Sequence, residues 1–133
     1  MKALKAHVTG ALPHRTKIVA CDNSGAKIVR IVSVVGGKTT RRRKPTAGVA
    51  DLVNIVVVKG DQSVRKKVMP AIIVRQKKEY RRADGSRIKF ESNAAVILKD
   101  EKGNPKGTMI KGPIAKEAAD RWPAVAKIAG QVV

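Results

Sequence analysis

The chain has 133 residues, and its 29 lysines and arginines against ten aspartates and glutamates give a formal net charge of +19. This excess is larger than solubility requires, so it indicates a polyanionic partner. The length fits one folded domain, residues 1–133, and a hydrophobic content of 43% excludes a purely disordered basic tail.

Five runs rich in β-branched residues predict the strands of one sheet. They are KIVAC (residues 17–21), AKIVRIVSVV (26–35), GVADLVNIVVVK (48–59), VMPAIIVR (68–75) and NAAVILK (93–99). Turn signals such as Asp-Asn-Ser-Gly and Gly-Gly separate the runs, and short strands joined by tight turns are typical of a closed sheet. We therefore predict a mainly β fold, a small five-stranded antiparallel β-barrel over about residues 16–110.

A basic β-hairpin is predicted between the fourth and fifth runs. The segment VRQKKEYRRADGSRIKF (residues 74–90) predicts two strands around Ala83-Asp84-Gly85-Ser86, because Asp-Gly is a strong hairpin signal. We expect the hairpin to project from the barrel, so that its cations reach phosphates from either face. Glu79 and Asp84 are expected to orient neighbouring arginines.

The last part of the chain changes to a helical period. Pro113 suits the first helical position of a helix over IAKEAADRW, and Pro123 ends that helix. A second helix is predicted over AVAKIAG, closed by Gly130. The barrel is thus expected to carry a short helical C-terminal region over about residues 113–130.

The segment GGKTTRRRKP (residues 36–45) combines Gly-Lys-Thr with four consecutive cations. A phosphate-binding P-loop needs a glycine five positions before the second one, but Val32 stands there before Gly37. It also needs a helix directly after Lys-Thr, whereas arginines and Pro45 follow here. These two departures from the P-loop pattern exclude a nucleotide site. The segment is therefore expected to be a loop that binds a larger anion.

Three clusters of cations are candidates for nucleic-acid binding. One cluster alone would usually be solvated surface, but three in one small domain favour binding. The predicted binding residues are Lys38, Arg41, Arg42, Arg43, Lys44, Arg65, Lys66, Lys67, Arg75, Lys77, Lys78, Arg81, Arg82, Arg87 and Lys89.

Aromatic content indicates the kind of nucleic acid. Tyr80, Phe90 and Trp122 are the only aromatic residues, too few for a platform that stacks unpaired bases. The one convincing helix carries Glu117 and Asp120, so it is not a reader of the DNA major groove. Recognition of phosphates and shape on structured RNA remains.

Residues that carry catalytic or metal chemistry are few. Cys21 is the only cysteine, and His7 and His14 are the only histidines, without a carboxylate pair at ligand spacing beside them. The ten scattered acidic residues form no recognisable catalytic set. We therefore expect a protein that is not an enzyme, with no cofactor, no metal and no small-molecule substrate.

The expected location is the cytoplasm, with no membrane partner. No apolar run approaches the roughly 18 residues of a membrane span. The first 15 residues lack the apolar core of a signal peptide. A single cysteine, which can form no internal disulfide, is compatible with a reducing compartment.

Three segments carry motifs of a known family. CDNSGAK (residues 21–27) is one, and AIIV (71–74) followed at fixed spacing by Asp84-Gly85, Phe90, Asn93 and Val96-Ile97 is the more specific second. Together they resemble the large-subunit ribosomal protein L14 family, called uL14 in the universal nomenclature. KGPIAKEAADRWPAVAKIAG (residues 111–130) is similar to the archaeal and eukaryotic branch. The resemblance covers nearly the whole chain, except the segment before Thr16, where a role for His7 or His14 stays open.

The resemblance implies a structural constituent of the large ribosomal subunit. Family members lie at the subunit interface, contact large-subunit rRNA near the sarcin-ricin loop and take part in a bridge to small-subunit rRNA. Archaeal and eukaryotic members lie beside ribosomal proteins L3 and L24e and form part of the docking site of the subunit anti-association factor. For Lys106, Lys111, Lys116 and Arg121 the resemblance implies a position facing small-subunit rRNA or that factor, and a solvated helix face is an equal alternative.

The remaining motif residues are expected to be structural. Asp22 and Asn23 should cap their own turn rather than contact RNA, and Gly25 and Gly85 should supply backbone angles that other residues resist. Phe90, Val96 and Ile97 are expected in the core. The alternative function is that of an RNA-binding factor that exchanges on and off its RNA. Such a factor with a small barrel would have a similar composition and the same strand topology.

Overall fold

The computed structural model describes residues 7–133 of the chain. The first six residues of the N-terminal segment left unassigned above therefore lie outside the described residues. In chain order the elements are β1 (Leu12–Pro13), β2 (Lys17–Ala20), β3 (Ala26–Val34), β4 (Thr46–Ala47), β5 (Leu52–Gly60), β6 (Val68–Arg75), β7 (Tyr80–Arg81), β8 (Arg87–Ile88), β9 (Ala94–Ile97), β10 (Ile110–Ile114), α1 (Lys116–Arg121), α2 (Pro123–Ile128) and β11 (Ala129–Val132).

Five of these strands close into a barrel in the order β2-β3-β5-β6-β9. This confirms the predicted fold class, and each of the five β-branched runs supplies one barrel strand. Four of the neighbouring pairs are antiparallel, but β2 and β9 are parallel, with Val19 opposite Ala94. The prediction of an antiparallel barrel missed this pair. Because directions alternate around an odd number of strands, the first and last strands run the same way and must close in parallel.

The barrel interior holds one hydrophobic core. Strand residues alternate between the two faces of a sheet, so every second residue of each run points inward. The inward residues include Ile18, Val29, Ile31, Val53, Ile55, Ala71, Ile73, Ala95 and Ile97. The β-branched runs form strands because their inward side chains fill this core, where branched side chains pack well against their neighbours.

A second core lies outside the barrel, between the outer faces of β6 and β9 and the C-terminal region. Ile72, Val74 and Val96 pack here against residues of β10 and the two helices, chiefly Ile114, Ala118, Trp122 and Val125. The indole nitrogen of Trp122 donates a 2.9 Å hydrogen bond to the carbonyl of Ala50. Phe90, Val96 and Ile97 are buried, as predicted.

The C-terminal region differs from the prediction in its boundaries. Pro113 lies in β10 rather than at the start of a helix, and α1 begins at Lys116. Gly130 lies within β11, which pairs in parallel with β10, so it does not close the second helix. The guanidinium of Arg75 explains the extended segment, because it donates to the carbonyls of Lys111 and Pro113 at 3.1 and 3.0 Å. These bonds hold the backbone of β10 against β6 on both sides of Gly112, which has a φ of +79°.

The hairpin forms where the sequence predicts it, but its base does not project freely. The carboxylate of Asp84 accepts hydrogen bonds from the backbone and hydroxyl of Ser86, and Gly85 has a φ of +92°. Tyr80 is buried in the second core, and Arg82 forms an ion pair with Glu117 of α1. The hairpin is thus docked on the C-terminal region. The prediction for Asp84 was wrong, because its carboxylate holds the turn rather than an arginine.

The turn after β2 is tied to distant parts of the chain. Asp22 accepts from the hydroxyl of Ser24 within its own turn, as expected, and also from the backbone N–H of Ile97 at 3.0 Å. Asn23 instead donates to and accepts from Thr108, at 2.8 and 2.7 Å. The expectation that Asn23 caps its own turn was wrong. Gly25 has a φ of +96°, which agrees with the angle expected of a glycine there.

Candidate nucleic-acid interface

Strand directions decide which basic clusters come together. Because successive barrel strands alternate in direction, the loops after β3 and β6 lie at one end of the barrel, and the loop after β5 lies at the other. The first end carries residues 36–45, here called the arginine loop, together with the hairpin, residues 76–90. The loop at the other end carries Arg65, Lys66 and Lys67, which return along β5 so that Arg65 lies beside Val57. Two of the three predicted clusters therefore share an end, and the third is separate.

The arginine loop exposes all of its cations on a tightly folded backbone. Lys38, Arg41, Arg42, Arg43 and Lys44 are all exposed. The backbone N–H of Arg43 donates to the carbonyl of Thr40, and the carbonyl of Arg43 accepts from the hydroxyl of Thr39 at 2.7 Å. These bonds close a turn that directs the arginine side chains into solvent.

The central residues of that turn have left-handed backbone angles. Arg41 and Arg42 have φ values of 55° and 61°. Residues with a side chain resist this conformation at a cost of roughly 1 to 2 kcal/mol each, and such strain is found at functional sites. Lys66, in the cluster at the other end, has a φ of 61° as well. The binding candidates therefore include three of the five non-glycine residues with positive φ in the described chain.

The hairpin presents a second group of exposed cations at the same end. Lys77, Lys78, Arg81, Arg87 and Lys89 are exposed. Arg87 forms an ion pair of 2.9 Å with Glu79, as predicted, but both side chains are about half exposed to solvent. Solvent screens such a pair, so the pair holds Arg87 only weakly and leaves it available to a phosphate.

Arg75 and Arg82 are used inside the protein. Arg75 binds the carbonyls of β10, as described above. Arg82 donates from Nε to Glu117 at 2.9 Å and from Nη2 to the backbone oxygen of Val133 at 2.6 Å, and its side chain is only 18% exposed. Arg75 thus holds the C-terminal region against the barrel, and Arg82 holds it against the hairpin. We therefore leave them out of the proposed RNA-contacting set.

The cations of the C-terminal region divide in the same way. Lys106, Lys111 and Lys116 are exposed. Arg121 is largely buried, donates to the carbonyl of Ala50 at 3.1 Å, lies 3.7 Å from a carboxylate oxygen of Asp51 and stands over the Trp122 ring. Arg121 thus fixes α1 to the segment before β5. Lys106, Lys111 and Lys116 remain candidates for contact with a partner.

Two kinds of residue escaped the sequence reasoning. Gln76 is fully buried, and its amide joins Val49, Thr9 and Lys78, so it anchors the base of the hairpin. No local signal identifies this residue, since two of its partners, Val49 and Thr9, are distant in the sequence. The exposed cations of the barrel strands were also missed: Lys17, Lys27, Arg30 and Lys59. The alternation of cations with valine and isoleucine is the signal that could have identified this second set.

The cysteine and the histidines differ in their exposure to solvent. Cys21 is buried beside the carbonyl of Ala95, and burial raises the pKa of its thiol to about 11. His7 is exposed and His14 half-buried. No group of three potential metal ligands occurs within residues 7–133, and no helix in that range is long and apolar enough to cross a membrane.

Comparison with known proteins identifies the family. The model of the family described as ribosomal protein L14p/L23e matches residues 11–133. The chain belongs to this family. It is 52% identical over 129 residues to the "Large ribosomal subunit protein uL14" of Methanococcus vannielii, with 97% of each chain covered. It is 50% identical to the protein of the same name from Nanoarchaeum equitans over the whole of both chains.

Membership confirms the resemblance and defines the broad class of function. The L14 family consists of structural proteins of the large ribosomal subunit, a cytoplasmic particle, and not of enzymes. The relatives named here are archaeal, in agreement with the branch that residues 111–130 resemble. This protein is accordingly a structural ribosomal protein.

Proposed function

We propose that this protein binds large-subunit rRNA through the barrel end formed by the arginine loop and the hairpin. The observation that supports this proposal most directly is that these two groups of exposed cations lie at the same end of the barrel. The ten contributing residues are Lys38, Arg41, Arg42, Arg43, Lys44, Lys77, Lys78, Arg81, Arg87 and Lys89. The arginine loop and the hairpin contain two acidic residues, Glu79 and Asp84, so the ten cations leave a large excess of positive charge at this end.

The burial of every aromatic ring supports recognition of phosphates and shape. Tyr80 and Trp122 are each 1% exposed, and Phe90 is 9% exposed. No aromatic side chain is therefore available to stack on an unpaired base. The exposed arginines carry planar guanidiniums that match phosphate oxygens in pairs. Folded rRNA, in which several backbone segments lie close together, suits a surface of this kind.

The third cluster extends the contact to another RNA segment. Arg65, Lys66 and Lys67 stand exposed beside β5, where Arg65 lies next to Val57, and thus away from the end that carries the arginine loop and the hairpin. A protein embedded between rRNA segments has phosphates at both ends. This arrangement favours an integral subunit component over the alternative, an exchanging RNA-binding factor. A factor can exchange only if it makes few phosphate contacts.

The C-terminal region is the part we assign to the subunit interface. Lys106, Lys111 and Lys116 are exposed, which suits a bridge to small-subunit rRNA, although Lys116 lines one cavity together with Arg81 of the hairpin. Met109, just before β10, and Val132, in β11, are each about half exposed, at 51% and 48%. Exposed apolar residues beside a strand edge suit protein neighbours, and we assign ribosomal proteins L3 and L24e and the subunit anti-association factor to this region.

Sedimentation of a native extract tests the proposal. The protein is followed by antibody through a sucrose gradient, with and without a high-salt wash. Persistence in the large-subunit peak after the wash is the expected result, because rRNA surrounds an integral component. Release by salt, or a dominant pool of free protein, would favour the exchanging factor instead.

A further inference from the structure

One side of the barrel is left uncovered by residues 7–133. The C-terminal region packs on β9 and the second half of β6, whereas the outward side chains of β2, β3, β5 and the first half of β6 remain accessible. We call this outward surface the open face. Val19 and Val68 are exposed by 46% and 64% there, and Ile28 and Val56 are half-buried.

The strand register arranges the open face in rows. Lys17 lies opposite Arg30, Arg30 opposite Val56, and Val56 opposite Val68. In the neighbouring row, Val19 lies opposite Ile28 and Ile28 opposite Lys59. Each row therefore combines aliphatic side chains with at least one exposed cation.

Two cations face each other directly in the first row. The side chains of Lys17 and Arg30 start from opposed positions, where Cβ atoms are about 4.5 to 5.5 Å apart and like charges destabilise a sheet. None of the ten acidic residues lies in any of the five barrel strands. Within residues 7–133, the ion pairs lie elsewhere, and neither Lys17 nor Arg30 forms one.

We propose that the open face is a second rRNA-binding surface, which takes the shallow minor groove of a double-helical segment. This inference rests on the proposed function, because it extends the same rRNA partner to a different side of the barrel. The minor groove of an RNA duplex is wide and shallow and displays ribose, so the convex wall of the barrel can approach it. The valine and isoleucine side chains pack on ribose, and a phosphate between Lys17 and Arg30 relieves their repulsion.

A regular polyanion fits this surface better than a protein segment does. Cations occur in both rows, at Lys17 and Arg30 in one and at Lys59 in the next. An occupant must therefore carry negative charge along its length at both positions. The two backbones that border an RNA groove supply this charge at a regular spacing, and their ribose rings supply the apolar contact.

Directed cleavage locates the occupant. Val19→Cys carries an iron chelate that generates hydroxyl radicals, and the wild type serves as the control for Cys21, which is buried. Assembled with purified large-subunit rRNA, the variant should cleave both strands of one helix, offset across its minor groove. Thr40→Cys in the arginine loop is the reference for the proposed function, and Asn104→Cys is an exposed site outside both surfaces.

The two hypotheses fail differently in this experiment. Cleavage from position 40 without cleavage from position 19 would leave the proposed function standing and overturn the open-face proposal. Absence of cleavage from both positions would contradict both. Cross-linking of position 19 to a protein in native large subunits would assign the open face to a protein partner and would also overturn the proposal.

Charge removal supplies a second, independent readout. Lys17→Gln with Arg30→Gln should lower the slope of log affinity against log salt by roughly 1.4 to 1.8, the value of two phosphate contacts. Lys102→Gln with Lys127→Gln is the matched control, since it removes two exposed charges elsewhere. An equal change of the salt slope in both double variants would mean that the slope depends only on net charge. That result would overturn the proposal.

The same two double variants also test the repulsion between Lys17 and Arg30. In the free protein, Lys17→Gln with Arg30→Gln should melt at a higher temperature than the control pair, because it removes two opposed like charges. A lower melting temperature would mean that the two cations are stabilised within the protein. That result would remove the argument for a bound phosphate.

Discussion

The phenol of Tyr80 donates a 2.8 Å hydrogen bond to a carboxylate oxygen of Glu117, 37 residues later in the chain. The other oxygen of that carboxylate accepts from Nε of Arg82 at 2.9 Å. Glu117 therefore joins the base of the basic hairpin to helix α1. One face of the hairpin belongs to the fold, and only the other is available to RNA.

Replacement of Arg82 should affect stability rather than RNA binding. Arg82→Ala leaves the largely buried carboxylate of Glu117 without its cation, so we expect the free energy of unfolding to fall by about 1 to 3 kcal/mol. Arg81→Ala is the matched control, because Arg81 is exposed and a change there should stay within about 0.5 kcal/mol. Urea unfolding and rRNA filter binding should give opposite rankings, with weaker binding only in Arg81→Ala. Weaker binding in Arg82→Ala at unchanged stability would return this residue to the RNA surface.

Tyr80 should make the protein less stable in alkali. Burial, and then the bond to Glu117, raise the pKa of its phenol to about 12, against about 10 in an unfolded chain. Between these two values the unfolded chain releases the proton while the folded chain retains it, so the free energy of unfolding falls as pH rises. Tyr80→Phe cannot titrate, so its loss of stability from pH 10 to 12 should be smaller than that of the wild type. Both proteins contain Cys21, whose own titration therefore cancels, and identical slopes would mean that the phenol is not protected.

Gly103 should tolerate no side chain, because the Trp122 ring lies against it. A Cβ there would lie 2.6 Å from Cε3 of Trp122, and the residue has a φ of +102°. Gly36→Ala separates the two effects, since Gly36 has a φ of +76° but a Cβ added there would meet no atom within 4 Å. We expect Gly36→Ala to cost roughly 1 to 2 kcal/mol for the backbone angle, and Gly103→Ala about 1 to 3 kcal/mol more for the overlap. Equal costs in urea unfolding would show that the ring moves aside freely.

The arginine loop should account for part of the salt dependence of rRNA binding. Alanine at positions 41, 42 and 43 should lower the slope of log affinity against log salt by roughly 2 to 3, the value of three phosphate contacts. Lysine at all three positions retains the charge but not the planar fork, so it should weaken binding while the slope stays near the wild-type value. Circular dichroism should be unchanged in both variants. An alanine variant with the wild-type slope would remove the loop from the interface.

The barrel could be predicted because its determinants are local. Each strand is a run of β-branched residues bounded by turn residues, and Asp84-Gly85 located the hairpin. The C-terminal boundaries could not be predicted in this way. Pro113 has the preference of a first helical residue, but the bonds from Arg75 to the backbone around it keep it in a strand. A contact made from 38 residues away overrides that preference, and no local pattern records it.

The cations of the candidate site could be predicted from the sequence, but the sequence did not show which of them have partners inside the protein. Sequence reasoning identified all three clusters, yet it gave Arg75, Arg82 and Arg121 the same role as the exposed cations. Their carbonyl and carboxylate partners lie on segments 35 to 71 residues away, so charge density alone could not separate them. The rows of the open face were missed for a related reason. They become visible only once the register of neighbouring strands is known.

The parallel pair between β2 and β9 has a consequence for the order in which the chain is synthesised. Asp22, just after β2, meets Ile97 of β9 across 75 residues. Until the ribosome has made β9, the strands β2, β3, β5 and β6 can form only an open sheet with two unpaired edges. Such edges pair readily with other chains. The nascent chain is already rich in lysine and arginine at that stage. Repulsion between these positive charges keeps separate nascent chains apart until the barrel closes.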